Sequence, residues 1–165
     1  VMGAIEDLGI KNVRIDERLI HGQVATMWTN QLRATRIMVV DDAVVKDDIT
    51  KMALKTAVPS GTHLSILTAT GAARRILAGQ YKDQRVFLIV KQPGTLRQLV
   101  DLDVPLTLVN VGNMSTKKDT KQVRQSVAVS AQDIEDFNYM TDKGVKFIAQ
   151  MVPSANAEDF MKFLP

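Results

Sequence analysis

Residues 86–90 read VFLIV, apolar at every position, so neither side of this segment is suited to water. A strand buried on both faces belongs inside a parallel sheet, because the crossovers between parallel strands lay helices over both sides. The rest of the chain repeats the alternation that such a sheet needs. Strand-like runs are predicted near residues 12–15, 36–40, 64–67, 85–90, 106–109, 127–129 and 145–150. Segments of helical spacing lie between most of them, at 23–32, 47–56, 69–78, 94–99 and 131–143, with a last one at 157–163. Asp142, Lys143 and Gly144 supply a helix stop before the final strand. The reading is an α/β fold with an open, mostly parallel sheet of about seven strands and helices on both faces.

At 165 residues, with no linker rich in Pro, Gly or Ser and no internal repeat, the chain reads as one domain over 1–165. That length buries roughly 70% of the unfolded surface. The first twelve residues are longer than the first strand requires and read either as vector-derived residues or as a short helix.

Composition narrows the chemistry. The absence of cysteine excludes disulfides, thiolate catalysis and cysteine zinc sites, and two histidines make a metal centre an unfavoured reading. The net charge is only +3 and aromatics are 5%, which argues against nucleic-acid binding. Lys117, Lys118 and Lys121 form the largest basic cluster, read as a solvated face or a docking patch for an acidic partner. No apolar run approaches the roughly 20 residues of a membrane span, and no signal peptide is apparent. A cytoplasmic protein that meets the membrane only through partners is expected. Neither a G-x-G-x-x-G turn after a strand nor a G-x-x-x-x-G-K-[ST] loop is present, which disfavours a kinase with its own ATP.

The chemistry concentrates in residues 14–24, RIDERLIHGQV. An imidazole ordinarily titrates near roughly 6.5, so its neutral form is available as a nucleophile at neutral pH. Arg18, three residues before His21, opposes an imidazolium beside it and can hold two oxygens of a phosphoryl group in a fork. Gly22 allows close backbone approach, and a helix starting there, with Gln23 in its first turn, aims N–H groups at an anion beside His21. Each residue also has a structural reading: Asp16 as a turn former, Arg18 and Glu17 as solvated loop charges. His63 opens the apolar run LSIL and lacks the context of His21. Because His21 follows the first strand, it belongs to the carboxyl edge of the sheet, where ligands collect. Asp41 and Asp42, Lys91 and Gln92, and the GNM segment with Gly112 and Asn113 follow other strands at that edge. They read either as turn and cap residues or as a docking rim.

The string RIDERLIHGQV, with its VATMW continuation, RIMVVDDAV at 36–44, NVGNM at 110–114 and GVKFIAQMVPS at 144–154, resembles one family. It is the enzyme IIB component of the mannose, fructose, sorbose and N-acetylgalactosamine class of the bacterial phosphoenolpyruvate-dependent sugar phosphotransferase system. The resemblance covers almost the whole chain. It implies that His21, through Nδ1, takes a phosphoryl group from a phosphohistidine on enzyme IIA. It further implies that His21 hands the group to a sugar entering through the membrane components IIC and IID. By position, Arg18 corresponds to the phosphate-binding arginine and Asp16 to the loop-ordering carboxylate, and no cofactor is implied. Some members carry an arginine on the helix after the second strand, where this chain has Thr50 and then Lys51, a point charge without the planar fork. Alternatives from other classes are a phosphorylation-controlled regulatory module and a phosphometabolite-binding module. The sequence names neither the sugar nor an oligomeric state.

Overall fold

A computed structural model describes residues 3–165. Its main sheet has seven strands: β1 (Ile10–Asp16), β2 (Arg36–Val40), β3 (His63–Leu67), β4 (Val86–Val90), β5 (Leu108–Asn113), β8 (Lys146–Ala149) and β9 (Glu158–Asp159). They are ordered β3-β2-β4-β1-β5-β8-β9, and every pairing is parallel except β8 with β9. The helices are α1 (Ala4–Asp7), α2 (Gly22–Leu32), α3 (Asp42–Val45), α4 (Asp48–Ala57), α5 (Ala69–Leu77), α6 (Pro93–Asp101) and α7 (Ala131–Asp142).

Side-chain alternation along the strands divides the core into two. Val86, Leu88 and Val90 of β4 point into the larger layer, beneath α5, α6 and α7, while Phe87 and Ile89 point into the smaller one, with α2, α3 and α4. Both parities of VFLIV are thus buried, as its composition requires. The α2 face changes character at β1 and β5. Val13 and Ile15 serve the larger core, but Arg14 and Asp16 are buried among polar partners on the other side.

Several expectations are corrected. Residues 127–129 do form a strand, β7 (Val127–Val129), but it pairs antiparallel with β6 (Lys121–Arg124) in a separate hairpin. The seventh strand of the sheet comes instead from the segment read as a last helix. That segment splits into β9, paired to Ile148 and Ala149, and a 3-10 turn at Phe160–Phe163. Phe160 is drawn into the core, with its ring 4.9 Å from that of Phe137. The first segment contains a short helix, and Ile5 on it is buried. NVGNM, read partly as a loop, lies largely in β5, because Asn110 and Val111 pair with Arg14 and Ile15.

Candidate phosphoryl-transfer site

The four strands β2, β4, β1 and β5 all run the same way, so the segments after them gather at one edge of the sheet. The loop after β1 is the most elaborate of these. Its backbone turns with Leu19 N–H bonded to Asp16 O at 2.9 Å, and both Leu19 (φ 60°) and Gly22 (φ 52°) are left-handed. Leu19 pays no glycine-like ease for this conformation; the burial of its side chain and of Ile20 in the smaller core holds it there. The consequence is that His21, the next residue, is left exposed.

His21 is the N-cap of α2, with extended φ −137° and ψ 112° and no side-chain capping bond. The first turn of α2 holds no acidic residue. The N–H groups that begin a helix have no intrahelical acceptor, and the dipole there favours an anion. The imidazole therefore stands beside a positive helix end that its own side chain does not consume.

Asp16 organises the base of this loop. Its carboxylate accepts from Arg18 N at 3.0 Å, from Arg18 Nε at 3.1 Å through Oδ1 and from Arg18 Nη2 at 3.1 Å through Oδ2. The Arg18 fork is thus taken up by Asp16 rather than open to a ligand, and Nη1 is the nitrogen outside it. Arg18 stays about a third exposed while Asp16 is buried. Its sequence role as a phosphoryl clamp is accordingly narrowed to the remaining donor and to its charge.

Arg14, which sequence reasoning passed over, anchors the other side of Asp16. Its Nε lies 3.4 Å from Asp16 Oδ2, its Nη1 donates to Gln150 O at 3.1 Å, and its guanidinium stands 5.5 Å from the Trp28 ring centroid. Burial lowers the Arg14 pKa from its ordinary value, with Asp16 opposing that effect. Gly112 makes the room: a Cβ there would lie 2.2 Å from Arg14 Cζ. The glycine is therefore a strand residue that admits a buried arginine, not a loop-shaping one. Trp28 Nε1 donates to Met151 O at 2.9 Å, tying α2 to the segment after β8. A signal for Arg14 did exist in the sequence, an arginine inside an apolar strand run, but its partners lie far along the chain.

The other edge residues divide into caps and cleft walls. Asp41 caps α3 through Ala43 and Val44 N–H, and Asp42 accepts from Ala69 N–H at 2.9 Å. Lys51 pairs with Asp48 at 3.5 Å. Glu17 joins Lys117, which links the loop after β1 to the one after β5. Burial would raise the Glu17 pKa, but hydrogen bonds from Lys117 and Ser115 outweigh it and the net shift is downward. Beside this link opens a cleft of about 340 Å³ walled by Glu17, Lys91, Gln92, Ser115, Lys117 and Lys118. His63 lies exposed at the start of β3, on the far edge of the sheet. Among the described residues no His, Asp or Glu cluster is suited to a metal ion, and no helix is long and apolar enough to cross a membrane.

The profile of the family described as "PTS system sorbose subfamily IIB component" matches residues 10–165. The chain belongs to this family of IIB components. It is 34% identical over 157 residues to the fructose-specific EIIB component of Bacillus subtilis (strain 168), covering 95% of this chain and 96% of that protein. It is 35% identical over 151 residues to the mannose-specific EIIAB component of Escherichia coli (strain K12), covering 92% of this chain and 47% of that longer protein. The fold superimposes on the crystal structure of the IIB domain of the sorbose permease from Klebsiella pneumoniae with TM-score 0.89. That match has 30% identity and covers 93% of this chain and 94% of the other. As a IIB component of this system the protein is a phosphotransferase that serves sugar uptake.

Proposed function

We propose that His21 is the phosphoryl carrier of this IIB component, taking the group from a phosphohistidine on enzyme IIA and passing it to a sugar held by IIC and IID. The single observation behind this reading is the placement of His21, exposed at the cap of α2 beside an unconsumed helix N-terminus. A neutral imidazole nitrogen attacks the phosphorus, the donor histidine leaves, and the new P–N bond carries the group. Backbone N–H groups of the first turn of α2, with Gly22 and Gln23 leading it, donate to the negative oxygens. Arg18 adds its charge and Nη1, while Asp16 fixes its fork. The family precedent assigns the phosphoryl group to Nδ1.

The name of the Escherichia coli relative joins a IIA and a IIB part in one component, which supports IIA as the donor. Cytoplasmic residence, with attachment to the membrane through IIC and IID, follows from the same reading. The relatives' names differ in their sugar: fructose, sorbose and mannose.

Phosphoenolpyruvate, the two general phosphotransferase proteins and a cognate IIA should place acid-labile phosphate on the wild type and none on His21→Ala. Equal labelling of the two proteins would remove His21 from the reaction. Arg18→Ala should fold and accept phosphate more slowly, and an unchanged rate would end its assigned role.

A further inference from the structure

Helix α4 buries Leu54 in the smaller core and turns a second apolar face outward. Ile49 is 85% exposed and Met52 70%, and with Ala53, Thr56 and Ala57 they line one continuous surface. These positions follow the i, i+3, i+4, i+7, i+8 spacing of a face that meets another apolar surface. Exposed side chains of this size, clustered rather than scattered, mark an interaction site.

The position of this stripe decides what it meets. Strand β4 lies between β1 and β2, so Lys91, which follows β4, stands between the His21 loop and the start of α4. Lys91 shares the wall of the cleft beside the His21 loop with Glu17. The Ile49 end of the stripe thus lies at the same sheet edge as His21, with Lys91 on the strand end between them.

Size argues against a second copy of this chain as the occupant. One face of a helix of 10 residues, about 15 Å long, falls well short of the roughly 800 Å² per partner that a stable complex buries. A transient encounter, which a relay protein must make and break, needs less. Charge selects among transient partners. The carboxylates on this edge are committed: Asp41 and Asp47 to caps, Asp42 to Ala69 N–H, Asp48 to Lys51 and Glu17 to Lys117. Among the described residues Lys46, Lys55, Lys91 and Lys118 have no carboxylate within ion-pair range. Cytoplasmic loops of membrane proteins carry an excess of Lys and Arg and would be repelled by these groups. A soluble partner with carboxylates around an apolar centre fits them.

We infer that the outer face of α4, centred on Ile49 and Met52, is the docking surface for the soluble phosphohistidine donor, with Lys46, Lys55 and Lys91 meeting its carboxylates. This rests on the carrier reading of His21 above. The stripe sets the affinity of the encounter and leaves the chemistry at His21 untouched.

The test compares wild type with Ile49→Asp, Met52→Asp and Lys55→Glu, using phosphorylated IIA as donor and phosphoramidate as a small donor that needs no docking surface. Leu102→Asp, on the opposite side of the sheet, is the control for an added charge. Each α4 variant should label normally with phosphoramidate, which also reports an intact fold. With phosphorylated IIA, the two aspartate variants should raise KM about tenfold or more with kcat nearly unchanged, and Lys55→Glu should raise it less. Unchanged KM for both aspartate variants overturns the inference. So does a defect confined to onward transfer into vesicles bearing IIC and IID, or one shared by Leu102→Asp. Wild type that takes no phosphate on His21 from either donor overturns the carrier reading, and the docking inference with it.

Discussion

Asp16 grips Arg18 with both carboxylate oxygens, Oδ1 to Nε at 3.1 Å and Oδ2 to Nη2 at 3.1 Å, while its other flank meets the buried guanidinium of Arg14. One carboxylate thereby balances two arginines and fixes the base of the loop that ends in His21. Asp16→Asn leaves Arg14 buried without a counter-charge, held by Gln150 O and the Trp28 ring. Removing one member of a buried pair typically costs about 3–5 kcal/mol. The retained amide oxygen places the expected loss near the lower end, measured by urea unfolding. The surviving folded protein should accept phosphate more slowly, because Arg18 is no longer held.

The space at Gly112 is reserved for Arg14. Gly112→Ala should destabilise by about 1–3 kcal/mol, the usual range for overfilling a close-packed interior. Arg14→Met removes the obstructing guanidinium, so the double variant should lose clearly less than the sum of the two single losses. Additive losses would show that the two residues do not share this space.

Gly22 tests backbone conformation without crowding. A Cβ there meets nothing within 4 Å, yet φ is +52°, so Gly22→Ala carries only the left-handed strain of about 1–2 kcal/mol. Relief of that strain would shift the backbone at His21 and the first turn of α2. Phosphate acceptance should fall by more than the small loss in melting temperature suggests, measured by initial rates at a temperature where the variant is folded.

How much of this was legible beforehand depends on whether the deciding contacts are local. VFLIV announces a doubly buried strand because its own composition forces the conclusion, and RIDERLIHGQV presents its residues contiguously. The Arg14 site was not legible, since Gly112 and Gln150 reach it only through the pairing of β1 with β5 and β5 with β8. The helix expected at 157–163 fails for a similar reason. Pairing with Ile148 and Ala149 and burial of Phe160 override a helical pattern too short to hold itself. β6 was invisible because KQVR is mostly polar and half-exposed, and only its hairpin partner defines it. Arg18 was found in sequence, but its engagement with Asp16 needed the folded loop.

Glu17 gives the loop an acid limit. Its pKa is held below the ordinary 4.5, so its contribution is fully present above 4.5 and is lost as pH falls through the depressed folded value. With Lys117 largely exposed, the link to it is worth at most about 1 kcal/mol. Glu17→Gln should therefore be slightly less stable than wild type at neutral pH, with the difference vanishing only once pH falls below the depressed folded value. Urea unfolding across that range checks the sign; a larger deficit in acid would contradict it.

The central claim is that His21 relays a phosphoryl group rather than storing it as a signal. The most direct measurement is a chase: protein labelled from radioactive phosphoenolpyruvate is freed of donor, then mixed with vesicles bearing IIC and IID and a transported hexose. The account predicts that label leaves the chain and appears in sugar phosphate. Label that stays on His21, or departs only as inorganic phosphate, would contradict it.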